Sequence, residues 1–218
     1  GGHGTAAAAC LLAVAGAQRT TVQVDSCVVG GAVDEVSMVA AMTEAIENGA
    51  DVISMQAGTY TREAVPPIAF KQFHDEVLSK HPQTVVVTAA GNDSQDDPFW
   101  PAAFPWVTAV GALTKDGSAR ADWSNHGDWV DVYAPGDNVV VPHPNGTYEY
   151  QGGALSAEFT EGHAIWSGTS FATPVVAGMI ARRMIEDDVD AATARDRVLA
   201  DAASDTLPDV GPRIDPRL

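Results

Sequence analysis

A hydroxyl-rich stretch precedes an apolar helix near the carboxyl end of the chain. In "IWSGTSFATPVVAGMI" (165–180), the run that starts at Pro174 is apolar, and a proline in the first turn of a helix loses no hydrogen bond. Ser167, Thr169 and Ser170 stand just before this run, which is more hydroxyls than one N-cap needs. We interpret Ser167 and Thr169 as residues that cap and shape the turn. Ser170 is then a candidate nucleophile, because its backbone N–H would point into the same space as its hydroxyl.

Two further motifs supply the partners that a serine nucleophile needs. "TAAGNDS" (88–94) places the amide of Asn92 at the end of an apolar strand, where it can donate to an oxyanion. "GGHGTAAAAC" (1–10) places His3 at the start of an Ala-rich helix, where the helix dipole disfavours the imidazolium and keeps a neutral base available. Each motif alone has an ordinary structural explanation. Together they form the nucleophile, base and oxyanion-donor set of acyl transfer.

The elements that must position these residues are read from hydrophobic patterning. Short apolar or β-branched runs predict five strands, at 21–24, 51–55, 84–90, 106–113 and 129–136. Helical patterns alternate with the first of these runs, which predicts an α/β fold of three layers, with a mostly parallel central sheet between helices. Ligands of such sheets bind beyond the carboxyl ends of the strands, so we expect the site in the loops after Met55, Ala90 and Leu113.

Two of the predicted helices have a clear apolar face. The first lies in "EVSMVAAMTEAIENG" (35–49) and the second in "AFKQFHDEVLSKH" (69–81). The residues expected on their buried faces are Val36, Val39, Ala40, Thr43 and Ile46 in the first, and Phe70, Phe73, Val77 and Leu78 in the second. The segment 140–165 has the glycines and alternating aromatics of a hairpin or an irregular excursion.

Composition narrows the class of protein. The 218 residues have one composition throughout, which favours a single domain over 1–218. The formal net charge of −17 argues against nucleic acid and against an anionic membrane surface as partners. No run of eighteen apolar residues exists, so no membrane span is expected. Cys10 and Cys27 could pair, although two small buried residues are the simpler interpretation.

The motifs taken together resemble the subtilisin-like serine proteases, the subtilase or peptidase S8 family. The resemblance covers roughly residues 1–185. It is carried by "GGHGT" (1–5), "NGADVISMQAG" (48–58), "VVVTAAGND" (85–93), "WPAAFPWVTAVGAL" (100–113), "DWSNHGDWVDVYAPG" (122–136) and "SGTSFATPVVAG" (167–178). It implies a secreted or cell-surface endopeptidase of the subtilisin-like three-layer fold. By motif, Ser170 would form the acyl-enzyme, His3 would act as general base and Asn92 would stand in the oxyanion hole.

The resemblance also implies how a polypeptide substrate is held. One edge of the substrate groove would be Gln56, Ala57 and Gly58, and the other would lie near Gly30 and Gly31. The remaining residues expected at the substrate are Ala89, Ala90, Gly91 and Thr169. Gln56 and Ala57 depart from the family's usual Ser-Leu pair, and Phe99 falls where the family often keeps a small residue at the pocket floor. The side-chain preference of the pocket therefore stays open at this point.

The start of the chain departs from the family pattern. Family members carry a catalytic Asp upstream of the histidine, but only Gly1 and Gly2 precede His3 here. Asp25, Asp34 and Asp51 lie downstream, on segments that the family uses otherwise. We therefore expect a chain truncated at its N-terminus, and residues 1–218 alone are expected to be inactive. The alternative is a non-catalytic, subtilase-fold binding protein or an inactive fragment, and intact His3, Asn92 and Ser170 weigh against it.

Other chemistries are weaker matches to the sequence. An α/β-hydrolase esterase needs Gly-x-Ser-x-Gly and a histidine after the serine, whereas "GTSFA" lacks the second glycine and no histidine follows Ser170. Acyl transfer of this kind requires no cofactor. A structural calcium ion is left open at "NDSQDD" (92–97), although its acidic residues lack the fixed alternation of a calcium loop. His126 and His163 are interpreted as loop residues, and the oligomeric state is not predicted.

Overall fold

Among the residues that the structure describes, a parallel sheet of four strands forms the centre of the fold. The computed structural model describes residues 2–25, 34–149 and 156–215. The strands are β1 (Val52–Met55), β2 (Val85–Ala89), β3 (Thr108–Leu113) and β4 (Val132–Pro135). They pair in the order β1-β2-β3-β4, and every pair is parallel. All residues of β2 and β3 are buried, as expected for apolar strands covered on both faces.

Helices cover both faces of this sheet. On one face, α4 (Thr169–Asp187) packs against all four strands. It also packs against α1 (Gly2–Ala15) and α5 (Ala191–Ala203). On the other face, α2 (Glu35–Glu47) and α3 (Ile68–Glu76) form a second core with Val86 and Trp100. The predicted three-layer α/β/α fold, with its parallel central sheet, is confirmed.

The predicted helices form, but the face of α2 differs from the prediction. The buried residues of α2 are Met38, Met42 and Ile46, which recur every four positions along one side. Val36 was expected on that side, but it lies 66% exposed. On α3, Phe70 and Phe73 are buried as predicted. That helix ends at Glu76, and a separate 3₁₀ turn, Leu78–Lys80, continues the chain.

One predicted strand is wrong. The run 21–24 forms no strand: Gly16–Thr20 is a 3₁₀ helix, and residues 21–25 follow it without regular structure. Val24 is 39% exposed. A β-branched run is stable as a strand only when a neighbour takes up its backbone hydrogen bonds, and this run pairs with none of the described strands.

The segment after β4 is the predicted hairpin excursion. Its strands are β5 (Val139–Pro142), β6 (Gly146–Glu149), β7 (Ser156–Phe159) and β8 (His163–Trp166). β5 pairs antiparallel with β8, and β6 pairs antiparallel with β7. The excursion returns the chain to the start of α4. A short antiparallel pair, β9 (Thr206–Leu207) with β10 (Gly211–Pro212), follows α5.

The predictions on a membrane span and on the two cysteines can be compared with the structure. Across the described residues, no helix combines the length and the apolar character needed to cross a bilayer. Cys10 is buried as expected, and this burial raises the pKa of its thiol to about 11. Cys27 lies outside the described residues.

Candidate active site

Ser170 is the second residue of α4. The helix begins at Thr169, after an N-cap residue, Gly168, that has no side chain to cap it. Ser170 is half-buried, and its backbone N–H belongs to the first turn, where no intrahelical acceptor exists. Pro174 lies inside the helix rather than in its first turn, which corrects the prediction. Because proline has no N–H, the carbonyl of Ser170 receives no helical hydrogen bond from it.

The neighbouring hydroxyls hold loops and do not cap the helix. Ser167 Oγ donates to Asp137 Oδ1 at 2.8 Å and accepts the backbone N–H of Asn138 at 2.9 Å. Thr169 Oγ1 accepts the N–H of Gly91 at 3.2 Å. The capping roles predicted for Ser167 and Thr169 are therefore wrong. Both residues instead connect the start of α4 to the loops that follow β2 and β4.

Asn92 is oriented by Thr169. Its Oδ1 accepts the backbone N–H and the hydroxyl of Thr169, each at 2.9 Å. Since both bonds fall on the oxygen, the Nδ2 group keeps its two hydrogens for another acceptor. Asn92 is exposed, and it lines the same cleft as Ser170. The Nδ2 amide and the Ser170 N–H are thus two donors that can serve one oxyanion.

The loop that carries Asn92 is held by a residue that sequence analysis missed. Asn125 is fully buried, and its Nδ2 donates to the carbonyl of Ala90 at 2.8 Å and to the Tyr60 hydroxyl at 2.7 Å. Its Oδ1 accepts the N–H of Asp93 at 3.0 Å. The signal available in the sequence was "SNHG" (124–127), in which an amide precedes a glycine turn. Its partners could not be inferred, because they lie 30 or more residues away.

A cleft of about 360 Å³ runs past Ser170. It is lined by Gln56, Ala57, Gly58, Ala89, Gly91, Asn92, Asp93, Phe99, Thr169 and Ser170. Most of the residues expected at the substrate therefore lie together at the carboxyl ends of β1 and β2. Ala90 is the exception, because it is fully buried behind the lining and its carbonyl is bonded to Asn125. Gly30 and Gly31 lie outside the described residues.

Phe99 lines this cleft between two glycines. Its ring edge lies against the Cα of Gly58, where an added Cβ would overlap the ring. The same edge would be in tight contact, 3.3 Å, with a Cβ built on Gly91. The Tyr60 ring meets Phe99 edge-on, with the ring centroids 4.9 Å apart. Phe99 therefore spans both walls, and the residue at position 58 has to be glycine while the ring stays there.

His3 lies in the first turn of α1, and its ring packs at the entry of α4. Its centroid is 5.6 Å from that of Trp166 and 5.6 Å from that of Phe171, the residue after Ser170. The pKa of His3 is lowered from its usual value, as the helix-dipole argument expected, but the cause is burial. No side-chain hydrogen bond of His3 or of Ser170 occurs within 2–25, 34–149 and 156–215.

Charged groups near the cleft do not assemble into a cation site in the described part of the chain. No group of three or more His, Cys, Asp or Glu side chains that could hold a metal occurs there. In the 92–97 loop, Asp93 Oδ2 accepts the hydroxyl of Tyr60 at 3.0 Å. His163 is exposed on the excursion, where its Nε2 lies 3.5 Å from Oε2 of Glu161. It does not line the cleft.

This chain is similar in sequence to known subtilisin-like proteases. A model of the subtilase family matches residues 1–211. Subtilisin-like protease 1 of Trichophyton rubrum is 36% identical over 125 residues, which are 57% of this chain and 21% of that protein. The thermophilic serine proteinase of Bacillus sp. (strain AK1) is 34% identical over 145 residues, 65% of this chain and 30% of that protein. The matched segments therefore cover less than a third of the length of these relatives.

Solved structures agree with the family match. The prenylagaramide maturation protease PagA has a TM-score of 0.65 and 28% identity, over 83% of this chain and 61% of that one. A lanthipeptide protease has a TM-score of 0.79 over 99% of this chain and 74% of that one. Its identity is 21%, so it shows a likeness of fold alone. Both matched proteins are proteases that share the layered sheet described above.

Proposed function

This chain belongs to the subtilase family, and on that premise we propose that it is the catalytic part of a serine endopeptidase. The observation that carries the proposal is the fixed amide of Asn92. Its oxygen is held by Thr169, so its donor group is free in the cleft that Ser170 lines. Donors fixed in advance beside a nucleophile are what acyl transfer requires.

The proposed reaction runs through an acyl-enzyme on Ser170. His3 removes the proton from Ser170 Oγ as the oxygen attacks the carbonyl carbon of the scissile peptide bond. The Asn92 Nδ2 group and the Ser170 N–H stabilise the oxyanion that forms. The protonated His3 then gives its proton to the leaving amine as the C–N bond breaks. Water, deprotonated by His3, releases the acyl group and restores the free serine.

The proposed substrate is a polypeptide bound in extended form. Gln56, Ala57 and Gly58 follow β1, an edge strand of the sheet formed by the described residues, so their backbone groups can pair with a substrate strand. Gly30 and Gly31 are proposed for the opposite edge from family resemblance alone. Thr169 supports the site by orienting Asn92, and its own side chain is buried.

The wider context of the chain is also proposed from the resemblance. Residues 1–218 are taken as one peptidase domain. The reaction as proposed involves no cofactor, and a structural calcium ion would act on stability only. We place the protein outside the cell or at its surface, and fractionation of the native host, followed by detection of this chain, tests that location.

A serine-directed fluorophosphonate probe tests the proposed activity on the full-length protein. We expect covalent labelling at Ser170 and hydrolysis of a peptide substrate. Ser170→Ala should abolish both and leave folding unchanged, because this side chain forms no hydrogen bond to other described residues. Ser79→Ala is the matched control, since Ser79 is exposed and donates only to the Asp75 carbonyl. A parent that binds peptides but neither labels nor hydrolyses them would instead be a binding protein.

A further inference from the structure

Asn125 uses its whole amide to hold one loop. Its Nδ2 group donates to the Ala90 carbonyl and to the Tyr60 hydroxyl. Its Oδ1 accepts the N–H of Asp93 at 3.0 Å and that of Gln95 at 3.1 Å. The side chain is fully buried, so these bonds cannot be exchanged for water without opening the loop.

These contacts bracket Asn92 without touching its side chain. The backbone N–H of Asn125 also donates to the carbonyl of Gly91 at 3.0 Å. Asn125 is therefore bonded to the residues immediately before and after Asn92. Gly91 has a φ of +102°, and a Cβ there would overlap the Asn125 amide nitrogen. The chain thus turns closely around this amide, and only glycine permits the approach.

The side chain of Asn92 has a separate anchor on α4. Thr169 fixes its Oδ1, and through that oxygen it fixes the direction in which Nδ2 donates. The Thr169 hydroxyl also accepts the Gly91 N–H, so the loop is tied to α4 on one side and to Asn125 on the other. An oxyanion donor has to be placed within about 0.5 Å to be effective. Two independent anchors on one short loop restrict its displacement in two directions.

We infer that Asn125 is a positioning residue that sets the place of the Asn92 amide in the oxyanion hole, an inference that rests on the proposed function. Asn125 does not touch the substrate, and its effect passes through Asn92. Tyr60 extends the arrangement, because its hydroxyl accepts from Asn125 and donates to Asp93. The loop that carries Asn92 is therefore hydrogen-bonded to Asn125 directly and also through the Tyr60 hydroxyl.

A double-mutant cycle on the full-length protein separates this role from a merely structural one. Asn125→Ala should lower kcat by about 10²-fold with KM unchanged, the scale for a group misplaced by about 1 Å. In an Asn92→Ala background, Asn125→Ala should cause no further loss of kcat, because the donor that it positions is already absent. A structural role would instead give the same fold loss in both backgrounds, and that result would overturn the inference.

Controls keep the outcomes distinct. His126→Ala changes the next side chain and keeps the backbone bond from His126 to Gln95, so it should leave kcat unchanged. Thermal unfolding checks that the variants are folded. If Asn125→Ala does not fold, Asn125→Asp takes its place in the cycle, because it keeps the acceptors for Asp93 and Gln95 and loses the donors. A parent without hydrolysis or labelling overturns the proposed function as well, whereas additive losses in an active parent overturn this inference alone.

Discussion

The proposed oxyanion donor, Asn92, is held by hydrogen bonds, whereas the proposed base, His3, is held by ring packing; we call these the oxyanion side and the histidine side of the cleft. Asn92 is bonded to Thr169, and its loop is bonded to Asn125. Within the described residues, His3 makes ring contacts with Trp166 and Phe171 and no side-chain hydrogen bond. Hydrogen bonds fix direction, while ring packing fixes position and leaves the tautomer of an imidazole undetermined. The described residues therefore orient Asn92 by hydrogen bonds, whereas they do not fix the tautomer of His3.

The role proposed for His3 indicates which group would orient its ring. A base that takes the proton of Ser170 becomes an imidazolium, and a carboxylate stabilises it and fixes its tautomer. Among the carboxylates whose side chains the structure describes, none bonds to His3. The comparison thus predicts different sensitivities: turnover should respond to substitutions at Asn92 on one side, and to the presence of a carboxylate beside His3 on the other.

The largest effect should come from supplying that carboxylate. Residues 1–218 alone should turn over a peptide about 3 × 10⁴-fold more slowly than the full-length protein, the cost of losing the triad Asp in a subtilisin. The measurement is kcat on one peptide substrate, together with the rate of fluorophosphonate labelling at Ser170. Adding the upstream segment as a separate peptide should restore both.

The control for this experiment is a full-length variant in which the upstream aspartate is replaced by asparagine. It should be as slow as residues 1–218 and as stable as the full-length protein. If residues 1–218 alone hydrolyse the substrate at the full-length rate, a carboxylate of this chain serves His3. The contrast between the two halves of the cleft would then be wrong.

A smaller loss of kcat is expected when the proposed oxyanion donor, Asn92, is removed. Asn92→Ala should lower kcat by about 10²–10³ and leave KM nearly unchanged, the range for one oxyanion donor as measured in a subtilisin and transferred here by resemblance. Asn48→Ala, at the end of α2, is the matched control and should have no effect. A variant whose KM rises while kcat holds would make Asn92 a residue that binds the ground state of the substrate.

Sequence patterns predicted the elements of this fold better than the contacts of the site. The apolar runs that became β1 to β4 were found because burial on both faces leaves a local signature. Ser170, Asn92 and His3 were found as candidates because motif and element ends coincide. The strand at 21–24 was wrong because strand formation depends on a partner that a local pattern does not contain. Asn125 was missed because its contacts join segments far apart in the chain.

Replacing Phe99 should change which substrate side chain the cleft prefers. The effect on kcat/KM should be smaller than the loss of kcat caused by removing the Asn92 donor. Phe99 closes the space between Gly58 and Gly91, so the substrate residue before the scissile bond should be small. Phe99→Ala should raise kcat/KM for a phenylalanyl substrate relative to an alanyl one by at least about tenfold, the lower scale for a side-chain misfit in a pocket. For Phe99→Leu, the ratio of kcat/KM between the two substrates should lie between those of the parent and of Phe99→Ala. An unchanged ratio in an active variant would place the preference elsewhere.

The smallest effect is a pH dependence whose sign reports on the histidine side directly. In residues 1–218, burial lowers the pKa of His3, so below its usual value of 6.5 the unfolded chain binds a proton that the folded chain excludes. His3 should therefore stabilise the fold above that pH and lose this contribution as the pH falls through the folded pKa. Beside a carboxylate the folded pKa would be raised instead, and the contribution would be present in acid and lost as the pH rises.

Urea unfolding of residues 1–218 and of their His3→Gln variant between pH 5 and 8 measures the contribution of His3 to the free energy of unfolding. NMR titration of His3 measures its pKa directly. A free energy of unfolding that falls with rising pH only when His3 is present would show that a carboxylate of this chain already pairs with it.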